Sequence, residues 1–168
     1  MNNKLEKSIE ISAWIVAALL LAKFVPRKRI REAHVAFLFK QVITWFFGLL
    51  VVEKNLISYP YRLFFKKAIK SSFTFEYFVF PTLNVLFNIY YPEKRNLFLK
   101  ASYYASHTLL VTFLEWIALK YTKLIRYENW TLYNTFISIW LSYYVSRQYQ
   151  RWFFKNKFTF TRWLKFLH

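Results

Sequence analysis

Apolar residues in this chain run in long unbroken stretches rather than in the two-residue alternation of a half-buried strand. Five such stretches cover residues 9–25, 35–52, 73–91, 101–119 and 131–145. Each is near the roughly 17–25 residues that carry a helix across a ~30 Å hydrocarbon core. Short, strongly basic segments separate them, among them Arg27-Lys28-Arg29 and Lys66-Lys67. The pattern predicts an all-α fold: a polytopic helical membrane bundle of about five transmembrane helices, forming one domain over residues 1–168. No repeat or low-complexity linker marks a second domain.

Two further segments, 56–72 and 150–168, mix aromatic rings with basic residues and are too charged to span. They are expected to lie in the interface as amphipathic helices, rings in lipid and cations in the headgroups. Arg62, Lys66, Lys67, Arg151, Lys155 and Arg162 are the expected headgroup contacts. Small residues mark the expected packing seams. Ala13 and Ala17, then Ala18 and Ala22, are spaced by four in the first stretch. Gln41, Thr44 and Gly48 share one face of the second, with the chain's single glycine in close approach to another helix. Ser138 and Ser142 step along the fifth, between Asn134 and Ser146. Lys40 is expected to snorkel toward a membrane surface. Pro81 is expected to free a carbonyl one turn earlier and kink the third helix.

Composition refines this picture. The 168 residues are 57% hydrophobic and 24% aromatic, with a formal net charge of +17. Phenylalanine suits the lipid face, while tyrosine and tryptophan suit the interface. The charge fits cytoplasmic loops and attraction to anionic lipid headgroups. It does not point to nucleic acid, because no soluble basic module is visible. More basic residues fall in segments 23–31, 94–100 and the C-terminal tail than in the N-terminal segment, 54–72 and 120–130. That bias predicts a multi-pass cell-membrane protein with its N-terminus outside and its C-terminus in the cytoplasm. Lys4 and Lys7 before the first stretch mimic a signal peptide, but no small-residue cleavage site follows, so it reads as a retained span.

Candidate chemistry is confined to polar groups inside the spans: Glu76, Asn84, Asn88, His107, Thr112 and Glu115. A carboxylate in a span costs about 2.5–3.5 kcal/mol on insertion scales and faces the bundle interior or water. These residues predict either a proton or cation site, or structural pairing, with Glu76 at the interface and Glu115 against Lys120. His107 reads best as a neutral ring bonded to a nearby backbone carbonyl or serine. The chain has no cysteine, and no His-Glu spacing matches a metal motif, so no metal and no cofactor are expected. Ser106, Ser138 and Ser142 lack a base in a strained turn and read as packing residues rather than nucleophiles. Asn129-Trp130-Thr131 is a formal glycosylation sequon set against the bilayer.

Trp45-Phe46-Phe47-Gly48-Leu49-Leu50-Val51-Val52-Glu53, followed by Tyr59-Pro60-Tyr61-Arg62, belongs to a wider set of motifs. With Phe75-Glu76-Tyr77-Phe78 and Pro81, Tyr91-Pro92-Glu93, and Tyr121-Thr122-Lys123-Leu124-Ile125 with Trp130, it resembles a family of uncharacterised small multi-span membrane proteins from Bacillus- and Clostridium-type spore formers. The resemblance implies a bacterial cytoplasmic membrane and, more loosely, a link to sporulation. It carries no activity and no functional residues. The leading expectation is therefore a structural or accessory subunit, or scaffold, docking against a membrane-protein partner or a second copy. The alternatives are a small transporter or channel using the intramembrane Glu, His and Asn, and a lipid-acting membrane enzyme.

Overall fold

The computed structural model describes residues 3–164, with side chains described through Lys155. Five α-helices account for most of the chain: α1 (Lys4–Phe24), α2 (Ile30–Glu53), α3 (Phe80–Ile89), α4 (Leu97–Tyr121) and α5 (Leu132–Leu164). The fold is all-α, with one minimal exception. Two-residue strands β1 (Ile57–Ser58) and β2 (Arg126–Tyr127) pair antiparallel, Ile57 opposite Tyr127 and Ser58 opposite Arg126.

Successive helices run up and down the bundle. One end gathers the start of α1 and the connections around residues 54–72 and 122–131. There, the amide of Tyr61 donates to the carbonyl of Lys123 at 2.9 Å. The other end gathers the 25–29 and 90–96 connections and the middle of α5. There, Tyr90 Oη donates to the Phe24 carbonyl at 2.8 Å, Gln150 Nε2 donates to the Glu32 carbonyl at 2.8 Å, and Arg147 pairs with Glu93. Two short apolar clusters, Ala33, Ala36, Val85 and Ile89, and Phe87, Tyr104 and Tyr143, knit α3 to its neighbours.

A π-turn over Phe75–Val79 leads directly into α3. Its cause is Pro81, which has no amide hydrogen to give the Tyr77 carbonyl. The Phe80 amide meanwhile reaches back to Phe75, which strands the Glu76 carbonyl as well. Side chains of α2 supply both missing donors. Gln41 Nε2 donates to the Tyr77 carbonyl at 3.0 Å, and Thr44 Oγ1 to the Glu76 carbonyl at 2.6 Å. The kink expected at Pro81 thus takes the form of a π-turn clamped to the Gln41–Thr44–Gly48 face.

Two expectations for the basic-aromatic segments are corrected. Residues 56–72 form no helix. Phe65 adopts φ 51°, a left-handed conformation that interrupts helical hydrogen bonding, and Arg62 folds back onto the carbonyls of Tyr59 and Lys66. Nor is there a break between the fifth stretch and the tail. α5 is one helix of 33 residues, about 50 Å long at 1.5 Å per residue. No glycine or proline lies within it to end it earlier. The side chain of Arg162 lies outside the described residues. Arg151 is bound to Glu93, and Lys155 is exposed.

Two carboxylates of α1 hold the first end together. Glu10, 2% exposed, accepts from Thr74 Oγ1 at 2.6 Å and from the Leu63 amide at 3.2 Å. Glu6 accepts from the Lys123 amide at 3.2 Å. Trp14 Nε1 adds a bond to Thr74 Oγ1 at 3.2 Å. Glu10→Leu strands a buried hydroxyl and a backbone amide and should cost about 1–3 kcal/mol for each group left unpaired. Glu10→Gln keeps an acceptor and should cost less. Thermal unfolding of the purified variants separates the two, and equal melting points would remove Glu10 as the tie.

Candidate functional site

Glu76 projects from the π-turn toward α2, where Gly48 lacks a side chain. A Cβ at position 48 would collide with the Glu76 carboxyl group, so the single glycine is the space that the carboxylate fills. Glu76 is 3% exposed. Its Oε2 accepts from Ser71 Oγ at 2.6 Å, whereas Oε1 has no hydrogen-bond partner. The Tyr59 hydroxyl approaches this carboxylate without completing a hydrogen bond. Burial, and then the charges of Glu76 and Glu115, hold the Tyr59 pKa well above the usual tyrosine range. Tyr59 therefore stays a protonated donor.

Glu115 approaches from α4. Its Oε1 accepts from Tyr127 Oη and from Thr135 Oγ1, the latter at 2.9 Å. Trp130 Nε1 donates to the same threonine oxygen at 2.9 Å. The pairing with Lys120 expected from sequence does not form, because the Lys120 ammonium lies over the Trp116 and Tyr121 rings. Lys40 is corrected too. It does not reach a surface but is 4% exposed, donating to Ser142 Oγ with its Nζ 4.8 Å from the Tyr143 ring centre.

These groups face one cavity of about 270 Å³ between α2, the π-turn, α4 and α5. Glu76, Glu115 and Lys40 contribute its charged groups, and Tyr59, Thr44 and Thr135 are among its hydroxyls. Phe47, Phe80, Val111, Trp130 and Tyr143 supply apolar wall, and Ser138 and Ser142 line the α5 side. Phe47, Leu141 and Val145 are lining residues that are also 57%, 57% and 39% exposed. They mark a side opening between α2 and α5. The ion pairs Arg29–Glu32, Arg126–Glu128, Arg147–Glu93 and Arg151–Glu93 lie away from Glu76, Glu115 and Lys40.

The other candidate residues lie elsewhere. Asn84 Nδ2 donates to the Ala36 carbonyl at 2.9 Å, and Asn88 Nδ2 to the Asn84 carbonyl at 3.0 Å and Ser146 Oγ at 3.3 Å. They fasten α3 to α2 and α5. Thr112 bonds back to the Thr108 carbonyl within α4. His107 sits among Phe87, Tyr103 and Tyr143, with Nδ1 2.9 Å from the Tyr103 carbonyl. A carbonyl can only accept, which places a proton on Nδ1. Ala17 is buried and Ala13 half-buried, while Ala18 and Ala22 are exposed. Among the described residues no group of three acidic, histidine or cysteine side chains could hold a metal ion. Sequence reasoning missed the roles of Tyr59, Tyr127 and Thr135. Tyr59 lies in a segment read as an interfacial contact, Tyr127 in a basic connection and Thr135 in the fifth apolar stretch, and none of these signals their convergence.

The Gly48–Glu76 contact makes a definite energetic prediction. An alanine in an open helix position would gain about 1 kcal/mol over glycine, yet Gly48→Ala should destabilise the protein, because the Glu76 carboxyl must move. In a Glu76→Ala background the same change should become neutral or stabilising. Phe46→Leu, on the exposed face of α2, should be silent. A double-mutant cycle by thermal unfolding measures the coupling, and additive effects would remove the contact.

Comparison with protein-family models, with curated proteins and with solved structures finds no match for this chain.

Proposed function

We propose that this chain is a multi-pass membrane protein of five spans whose working part is the Glu76–Glu115 cavity, a site that binds a small lipophilic molecule from the bilayer. The carrying observation is the inverted distribution of polarity. Glu10, Lys40, Glu76, Asn84, Asn88 and Ser146 are buried, while Ile15, Leu19, Val42, Phe46, Leu110, Phe113 and Leu141 are exposed. Water would favour the reverse, and a large contiguous apolar exterior marks contact with lipid or a partner. In hydrocarbon, polar groups belong inside.

Among the described residues one helical segment, Arg27–Glu53, is long and apolar enough by itself to cross a membrane. The others fall short for visible reasons: α1 carries Glu6 and Glu10, α3 has 10 residues beyond its π-turn, and α4 and α5 are rich in Tyr, Ser and Thr. Spanning by these helices therefore rests on burial of their polar faces against one another. The charge bias puts the N-terminus outside and the C-terminus in the cytoplasm. The resemblance to spore-former proteins would make this a bacterial cytoplasmic membrane.

A binding site fits better than a sealed scaffold, because two carboxylates from different helices converge on a cavity that opens sideways. A channel lined also by Asn84, Asn88 and Thr112 fits less well, since those residues bond within the helix packing. The exposed Ala18–Ala22 seam supports a second reading alongside the first, docking of a partner helix on α1.

Reporter fusions after Arg29, Lys67, Asn96 and Ile125 should read inside, outside, inside, outside. A cytoplasmic signal at Lys67 would sink the proposed topology. Native mass spectrometry of the full chain released from its membrane should show a bound small molecule. Leu141→Trp, which narrows the opening, should reduce its occupancy. A chain that carries nothing, and is unchanged by Leu141→Trp, would leave the scaffold.

A further inference from the structure

The chemistry of the cavity narrows what it can hold. Glu76 Oε1 is a buried acceptor that completes no hydrogen bond, with the Tyr59 hydroxyl nearby, in a side chain otherwise fixed by Ser71 and by the gap at Gly48. Glu115 stands across the same space with its Oε1 already bound to Tyr127 and Thr135. The ion pairs Arg29–Glu32, Arg126–Glu128, Arg147–Glu93 and Arg151–Glu93 involve neither carboxylate. The one cation lining the cavity, Lys40, is turned to Ser142 and the Tyr143 ring. Rings of Phe47, Tyr59, Phe80 and Trp130 wall the space, and aromatic faces attract organic cations as well as apolar bodies.

Resting on the reading of this cavity as a binding site, we infer that its ligand is a lipophilic organic cation, a protonated amine on an apolar body. The ammonium sits between Glu76 and Glu115, giving Glu76 Oε1 its missing donor. The apolar part lies against the rings and leaves toward lipid past Phe47, Leu141 and Val145. A bare inorganic ion does not fit this description. The volume of about 270 Å³ is close to the roughly 300 Å³ lower bound of pockets for organic ligands, and the walls are mainly carbon. An anionic amphiphile would bring its charge to two carboxylates, with only Lys40 to offset them.

The test uses the full chain in lipid nanodiscs, with empty nanodiscs as the blank. The probes are a medium-chain alkylamine and the alcohol and carboxylate of the same chain length, titrated calorimetrically. The amine should bind saturably and at least about tenfold more tightly than the alcohol, a difference of about 1.4 kcal/mol. Glu76→Gln should remove that preference while leaving alcohol binding in place, and Leu141→Trp should weaken both. Should Glu76→Gln not fold, the amine-to-alcohol ratio on the wild-type chain and its response to Leu141→Trp still decide. Equal binding of all three probes would overturn the cationic ligand and leave the cavity as a binding site. Tightest binding by the carboxylate, lost in Lys40→Met, would overturn it by inverting the charge. Binding of none of the three would remove the cavity reading itself.

Discussion

The absent amide hydrogen of Pro81 shapes the centre of this molecule. It leaves the Tyr77 carbonyl without its helical partner, and the wider π-turn strands the Glu76 carbonyl as well. A buried carbonyl without a donor is costly, so the fold must bring donors from outside the helix. Gln41 and Thr44 of α2 do so, and in doing so they set the register of the two helices. Once those two bonds are made, the Glu76 side chain has one place to go, the gap at Gly48. The carboxylate position, and with it one wall of the cavity, follows from a proline five residues further along.

The same logic recurs around the bundle. Besides the apolar clusters and ring contacts between helices, side chains reach main-chain groups of neighbouring segments. Asn84 reaches Ala36, Gln150 reaches Glu32, and Glu10 receives Leu63. Such bonds are directional, and each removes a polar group from the outer surface. They leave the apolar side chains of α1, α2, α4 and α5 facing outward. Interior charge and exterior hydrocarbon are therefore two results of one arrangement.

Much of the central geometry was legible in the chain. Gln41, Thr44 and Gly48 share a face by spacing alone, and Pro81 announces a helix that cannot keep its hydrogen-bond ladder. Glu76 and Glu115 stand out because carboxylates are rare in apolar runs. The surroundings of those carboxylates were not legible, because Tyr59 and Tyr127 are brought in by connections whose paths depend on long-range pairing such as β1 with β2, and Thr135 reaches Glu115 only through the packing of α5 on α4. Lys40 was misjudged because distance along the helix does not tell whether its face meets lipid or another helix. Segment 56–72 reads as amphipathic, but composition does not reveal the left-handed turn at Phe65. For α5 the change from apolar to basic residues suggested a boundary that the backbone ignores, since helical hydrogen bonding needs no constant polarity.

The carboxylates of α1 also bear on how the chain comes together. Glu10 finds its donors at Leu63 and Thr74, and Glu6 finds one at Lys123. During synthesis the first helix is complete long before those residues leave the ribosome. Its two acidic groups then have only water to satisfy them. The bonds of Glu10 can form only once residues 63–74 are in place, and that of Glu6 only once Lys123 is. The N-terminal segment is thus the first part made and among the last to be locked, which makes assembly of this bundle a closing of its beginning by its later parts.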